Sequence, residues 1–152
     1  MITKRQIAWL SAAAVAMAFS LVLVNAGEAD AILERQMAMK QVGKAMGGLA
    51  AIAKKEAPFD AEVVNKHASA IAGHLKKSAA LFPEGSQSGE AETWAKAEIW
   101  TDRETFDKGM QSAVEAAVAL SQVTEADAFA PALGKLGNGC KSCHSTFRRP
   151  EE

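Results

Sequence analysis

Apolar positions recur every three or four residues in four separate segments of this chain, the spacing typical of amphipathic helices. The first segment extends from about Asp30 to Lys55 with apolar residues at intervals of seven, and Pro58 ends it. The second begins at Asp60, a favourable N-cap residue, and fades near residues 81–83. No segment alternates strictly between apolar and polar residues, so the pattern predicts an all-α chain.

The third and fourth helices are predicted from their capping residues and their apolar faces. The stretch Thr101-Asp102-Arg103-Glu104 has the form of a capping box, with Thr101 as the N-cap of the third helix. The fourth helix is predicted to begin within residues 124–127. Its Pro131 lacks an N–H donor, so we expect this residue to lie in the first turn.

One long irregular stretch, residues 84–96, separates the second and third predicted helices. Its glycines and serines predict a crossover loop, which we expect Trp94 and Trp100 to hold in place by packing. Four amphipathic helices joined by otherwise short turns predict an antiparallel four-helix bundle.

The first 26 residues differ from the rest of the chain. Lys4-Arg5 precedes an uncharged apolar run, Ile7–Val24, and small residues follow it at positions that a signal peptidase recognises. We predict a signal peptide over residues 1–26, cleaved after Ala26, and a single domain over residues 27–152. An uncleaved membrane anchor is the alternative, because the run reaches the lower limit for spanning a bilayer. Both alternatives export the domain, which we expect in the periplasm.

Charge and composition exclude several classes of function. The whole chain has a formal net charge of −1, and removal of Lys4 and Arg5 with the signal peptide changes this to −3. No basic patch interleaved with aromatic residues points to nucleic acid. No Ser/His/Asp set, carboxylate pair or phosphate-binding loop emerges, so we expect no enzymatic activity.

The motif Cys140-Lys141-Ser142-Cys143-His144 carries the chemistry of the chain and contains both of its cysteines. CxxCH is the attachment pattern of haem c, in which two thioethers hold the macrocycle and the histidine is an axial iron ligand. On a helix these three residues share one face. A redox disulfide would need a βαβ setting, and a closed zinc site would need four ligands, whereas only His67 and His74 remain.

The cysteines lie on the same predicted face of the fourth helix as its core residues, which places the haem inside the bundle. That face comprises Phe129, Leu133, Leu136, Cys140, Cys143 and Phe147. Three glycines nearby are costly in a helix, and we interpret them as leaving room for a ring that approaches the backbone: Gly134, Gly137 and Gly139.

With these features the chain resembles class II cytochromes c, the cytochrome c′ family, over residues 30–150. The resemblance lies in Arg35-Gln36, Leu81-Phe82-Pro83, Glu98-Ile99-Trp100 and the stretch from Gly139 through the motif to Phe147-Arg148-Arg149. It implies a four-helix bundle with one haem c, bound covalently through Cys140 and Cys143, with His144 as the proximal iron ligand.

The resemblance also implies roles for residues outside the motif. Arg35 and Gln36 match positions that approach the haem propionates, and Arg148 matches a basic residue near the proximal histidine. The residues alone would make Arg35 a solvated helix charge. Trp100 is interpreted as loop packing and His67 and His74 as surface residues. Homodimers through the first two helices are common in the family.

Met39 matches the family position over the distal haem face and decides between two functions. If its thioether binds iron, the resemblance implies a six-coordinate, low-spin one-electron carrier that serves redox protein partners. If it only packs, the iron is five-coordinate and binds nitric oxide or carbon monoxide. The local sequence favours the ligated branch. Met37 is expected to face elsewhere on the helix and Met46 to pack.

Overall fold

The computed structural model describes residues 31–89 and 91–150, so the predicted signal peptide lies outside the described residues. The helices are α1 (residues 31–53), α2 (Ala61–Ala79), α3 (Glu98–Thr101), α4 (Arg103–Ser121) and α5 (Ala126–Phe147). The only β-type pairing in these two ranges is an isolated antiparallel bridge between Ala95 and Arg148. None of the helices in the described ranges is long and apolar enough to cross a membrane.

Contacts between helix ends show that neighbouring helices run antiparallel, so the predicted four-helix bundle is confirmed. The start of one helix meets the end of the next in three pairs: Glu34–Lys77 (3.0 Å, ion pair), Asn65–Ser121 (2.8 Å, hydrogen bond) and Phe106–Phe147 (5.4 Å between ring centroids). We call the end that holds the starts of α1 and α4 and the ends of α2 and α5 the loop end of the bundle.

On α2, α4 and α5 the core follows the apolar faces that the periodicity predicts. On α1 the prediction is wrong: of the residues at intervals of seven, Ile32, Met39, Met46 and Ala53, only Ile32 is fully buried, and the buried face continues through Ala38, Val42, Ala45, Leu49 and Ile52. On α2 the predicted face is buried throughout, and the fully buried large side chains come from all four long helices: Ile32, Leu49, Val64, Ile71, Leu120 and Leu136. Each such side chain stabilises the fold by about 1.5–3 kcal/mol relative to an exposed one. His67 and His74, predicted at the surface, are half-buried.

Of the two predicted N-cap residues, the one at the start of α2 is confirmed and the one before α4 is wrong. Asp60 is the N-cap of α2 as predicted, and its carboxylate accepts from the amides of Glu62 and Val63 at 2.8 and 3.1 Å. The capping box beginning at Thr101 is wrong, because Thr101 is itself the last residue of α3. Asp102 has the non-helical backbone of an N-cap instead and accepts from the Thr105 amide at 3.4 Å.

The prediction that Pro131 lies in the first turn is wrong. Helix α5 begins at Ala126, which places Pro131 in the helix interior. A proline there removes the hydrogen bond to the carbonyl four residues earlier, that of Asp127. Asp127 is exposed, so water can hydrate its carbonyl, and the helix can therefore accommodate Pro131.

The connection between α2 and α3 is not a crossover, which corrects the prediction. The Arg103 guanidinium, at the start of α4, donates to the Phe82 carbonyl just after α2 at 2.9 Å. The connection therefore begins and ends at the loop end of the bundle. Trp100 packs the loop as predicted: its indole N–H donates to the Pro83 carbonyl at 2.8 Å, and its ring meets that of Phe82 edge-on.

Candidate haem site

Cys140, Cys143 and His144 occupy the last two turns of α5, at the loop end of the bundle. Both cysteines are half-buried and packed against the hydrophobic core, while His144 is exposed. The buried residues Leu136 and Phe147 flank the motif on the same helix. The thiols thus border the core, as the spacing predicts.

The surroundings of the motif favour the neutral form of each group. Burial raises the pKa of the Cys140 thiol, and burial together with the neighbouring Cys140 raises the pKa of Cys143. Burial, with a smaller contribution from the Arg148 cation, lowers the pKa of His144. The lowered pKa favours the neutral imidazole, the form that has a lone pair for a metal.

Open space lies along the turns of α5 that precede the motif. A Cβ added at Gly134, Gly137 or Gly139 would meet no atom within 4 Å apart from its chain neighbours and the backbone of the helix itself. Two thiols and an imidazole on one helix, beside the core and beside this open backbone, form a donor set that fits haem c. When bound, haem c would supply a one-electron ferric–ferrous couple at this place.

Met39 lies on α1, half-buried, and packs against the same hydrophobic core as Cys140 and Cys143. Met37 is 57% exposed, which confirms that it faces elsewhere. Met46 is half-buried and packs against the core, as predicted. Ligation of iron by Met39 stays a prediction.

Arg35 is buried in a cage made by the loop, with 3% of its surface exposed, so it is not a solvated helix charge. One Nη donates to the Leu81 carbonyl (3.3 Å) and to Ser86 Oγ (3.1 Å); the other donates to the Ser86 carbonyl (2.8 Å) and to Thr93 Oγ1 (3.0 Å). The guanidinium also lies 4.8 Å from the centroid of the Phe82 ring. Burial lowers its pKa. Its approach to a propionate stays a prediction.

Gln36 and Arg148 also contact the loop. Gln36 is exposed and donates through its side-chain amide to the Glu92 carbonyl. Arg148 follows α5 directly, and its amide donates to the His144 carbonyl at 3.1 Å. Its guanidinium lies 4.5 Å from the ring centroid of Trp94, which is 45% exposed. Arg148 therefore lies beside His144, while the haem roles of Arg148 and Gln36 stay predictions.

The sequence did not reveal the residues that join the loop to the two helices of the site. Thr93 bonds to Arg35 from a position 58 residues away in sequence, and Lys96 bonds to the end of α5 from 49 residues away. Polar residues in an irregular stretch carry no periodic pattern, so nothing in the sequence distinguished these two from their neighbours.

The fold and the donor set define a c-type cytochrome built on a four-helix bundle. The sequence model of cytochrome c′ matches residues 30–148, and the chain belongs to that family. It carries one haem c through Cys140 and Cys143, as the motif and the resemblance implied.

Relatives and solved structures agree with this assignment. The chain is 40% identical to a cytochrome c′ of Rhodopseudomonas palustris over 84% of its own length and 90% of the relative's. It is 38% identical to a cytochrome c-556 of Agrobacterium tumefaciens over 81% of its length and 98% of the relative's. A solved structure of cytochrome c′ from Rhodopseudomonas palustris is similar with a TM-score of 0.76 at 36% identity, covering 81% of this chain and 98% of that one.

Proposed function

We propose that this protein is a periplasmic one-electron carrier, with His144 and Met39 as the axial ligands of its haem iron. The observation that carries the proposal is the position of Met39. It lies half-buried on α1, nearer than Met46 to the loop end of the bundle, and packs against the same core as the two haem-attaching cysteines of α5. Nothing in the chain is proposed to catalyse a reaction on a bound substrate.

The residues of the site suit this role. A lowered pKa favours the neutral imidazole of His144, which offers a nitrogen lone pair, and the Met39 thioether is a soft, neutral ligand. A histidine–methionine pair favours the ferrous state and raises the reduction potential. The apolar core behind Cys140 and Cys143 excludes water, which reduces the solvent reorganisation that accompanies a change of charge.

The decisive experiment is visible absorption of the haem-loaded protein, ferric and ferrous, with and without carbon monoxide. We expect sharp ferrous bands that carbon monoxide does not move. In Met39→Leu we expect a high-spin spectrum that carbon monoxide shifts, because the leucine side chain cannot ligate iron. Met46→Leu is the matched control, since Met46 is also half-buried against the core, and its spectrum should equal the wild type. A Met39→Leu spectrum equal to the wild type would refute ligation.

Gas binding is the second candidate function, and the cytochrome c′ relative at 40% identity favours it. In that case Met39 packs as a steric gate over a vacant iron position. The wild-type ferrous protein would then show broad high-spin bands, and carbon monoxide would shift them. Met39→Leu would alter the affinity for the gas and leave the spin state unchanged.

The proposal includes redox protein partners and a homodimer. Leu33 and Met37, four residues apart on α1, are 50% and 57% exposed. Apolar side chains at this spacing form one stripe on a helix surface. Sedimentation of the wild type against Leu33→Lys tests the dimer, which the charged side chain should dissociate. A monomeric wild type would exclude this stripe as an interface.

A further inference from the structure

The segment after the haem motif is tied to the loop by a short β-like pairing. The amide of Lys96 donates to the Phe147 carbonyl at 2.9 Å, and the amide of Arg149 donates to the Trp94 carbonyl at 2.8 Å. Ala95 and Arg148 form the bridge between these two bonds. We call residues 93–96 the clamp segment, because they hold the chain that leaves α5.

The side chain of Lys96 completes this pairing at the end of α5. Its ammonium group donates to the carbonyls of Ser145 and Thr146 at 3.3 and 3.1 Å. The last carbonyls of a helix have no intrahelical donor and concentrate negative partial charge. A lysine contributed by another part of the chain therefore satisfies them and opposes their charge. The two carbonyls belong to the residues that follow His144 directly.

The clamp segment is itself fixed to α1. Thr93 Oγ1 accepts from the Arg35 guanidinium at 3.0 Å, and the Thr93 carbonyl accepts from the guanidinium of Arg149. Arg35 stands one helical turn before Met39 on α1. A continuous set of hydrogen bonds thus joins α1, which carries Met39, to the residues that follow α5, the helix of His144.

We propose that Lys96 is a positioning residue for His144: by capping the end of α5, it keeps the last turn helical and so fixes the orientation of the imidazole toward the haem. Because His144 lies in that last turn, fraying of the turn would release its backbone and allow several ring orientations. The inference rests on the proposed role of His144 as a ligand, and it holds whether or not Met39 is the second ligand.

The test uses the haem-loaded protein with Lys96→Met, which keeps the aliphatic stem and removes the ammonium donors. Lys96→Arg should restore the cap because it keeps a charged donor. Lys66→Met is the control: this lysine is exposed on α2, near the Asn65–Ser121 contact at the opposite end of the bundle.

The first readout is amide hydrogen exchange at the end of α5. In Lys96→Met we expect the amides of Arg148 and Arg149 to exchange roughly three- to ten-fold faster, the range expected for losing a helix cap of this kind. The amides of α2 should keep their wild-type rates. Unchanged exchange at Arg148 and Arg149 would overturn the proposal.

The second readout reports the imidazole itself. In the NMR spectrum of the ferric protein, the paramagnetically shifted ring signals of His144 should move or broaden in Lys96→Met and return to wild-type positions in Lys96→Arg. Faster exchange with unmoved His144 signals would make Lys96 a purely structural cap and overturn its positioning role. Failure of the proposed function is recognised separately, by the carbon monoxide and Met39→Leu spectra.

Discussion

Arg35 on α1 and Thr93 in the loop are joined by a 3.0 Å hydrogen bond between Nη2 and Oγ1, in a buried position. The Arg35 cation has five donors, and four hydrogen bonds from its guanidinium go to neutral acceptors between residues 81 and 93. A residue of α1 therefore holds the irregular chain at the loop end of the bundle in place.

Replacing Arg35 with methionine should destabilise the protein by about 2–3 kcal/mol, because buried acceptors at Ser86 and Thr93 lose their donor. Arg35→Lys should restore only part of this, since an ammonium group cannot span both acceptors. Urea unfolding measures the difference. Lys108→Met is the control: its ion pair with Glu104 is exposed and should be worth less than about 1 kcal/mol. Equal losses in Arg35→Met and Lys108→Met would contradict the claim that the buried hydrogen bonds of Arg35 stabilise the protein.

Helices α1 and α2 approach closely where Gly48 meets His67. A Cβ at Gly48 would lie 2.5 Å from His67 Nε2, so Gly48→Ala must displace this imidazole ring and should cost no more than about 1 kcal/mol, because the ring lies at the end of a side chain that can rotate. In a His67→Ala background the same change should stabilise by about 0.5–1 kcal/mol, because alanine is a better helix former. Thermal unfolding of the wild type, the two single variants and the double variant measures how far the effect of Gly48→Ala depends on His67. A cost for Gly48→Ala that persists without the imidazole would show that His67 is not the cause.

The two N-caps should differ in strength. Asp60 accepts from two amides at 2.8 and 3.1 Å, whereas Asp102 accepts from one at 3.4 Å. Asp60→Ala should cost about 1 kcal/mol, and Asp102→Ala should cost less. Chemical denaturation of the two variants under identical conditions tests the order, and a larger loss in Asp102→Ala would reverse it.

The thiols of the motif should react slowly before haem is attached. Burial raises the pKa of Cys140 and Cys143, so at a given pH the folded chain holds less thiolate than an unfolded chain. Iodoacetamide should therefore alkylate the haem-free folded protein more slowly, with the rate rising at higher pH than in urea. If the alkylation rate has the same pH dependence in the folded and the unfolded chain, the thiol pKa values are not raised by folding.

The same raised pKa values have a consequence for stability. The folded state holds these protons more tightly than the unfolded state, so the contribution is fully present below the ordinary thiol pKa of about 8.5. This stabilising contribution is lost as the pH rises through the pKa values of the two thiols in the folded state. The haem-free protein should thus lose stability in alkaline solution, and the Cys140→Ser, Cys143→Ser double variant should lose less of it over the same pH range.

Local patterns predicted the features that depend on neighbours in sequence. The spacing of Cys140, Cys143 and His144 needs only the geometry of one helix, and Asp60 caps the residues that follow it. The expectation for Pro131 was wrong because it relied on the local cost of proline alone: α5 begins at Ala126, inside the predicted range, and Pro131 lies in its second turn. Thr101 was mistaken for a cap because α3 is too short to show any period.

The sequence by itself determined the four helices, the faces that α2, α4 and α5 bury and the haem c motif, because each depends on the spacing of residues within one helix. Only the tertiary structure decided where polar side chains of the loop bind. Arg35 reaches Thr93 across 58 residues and Lys96 reaches Ser145 across 49. Such bonds depend on which helix ends meet at the loop end of the bundle, and no local pattern encodes that meeting, because it results from packing the whole core.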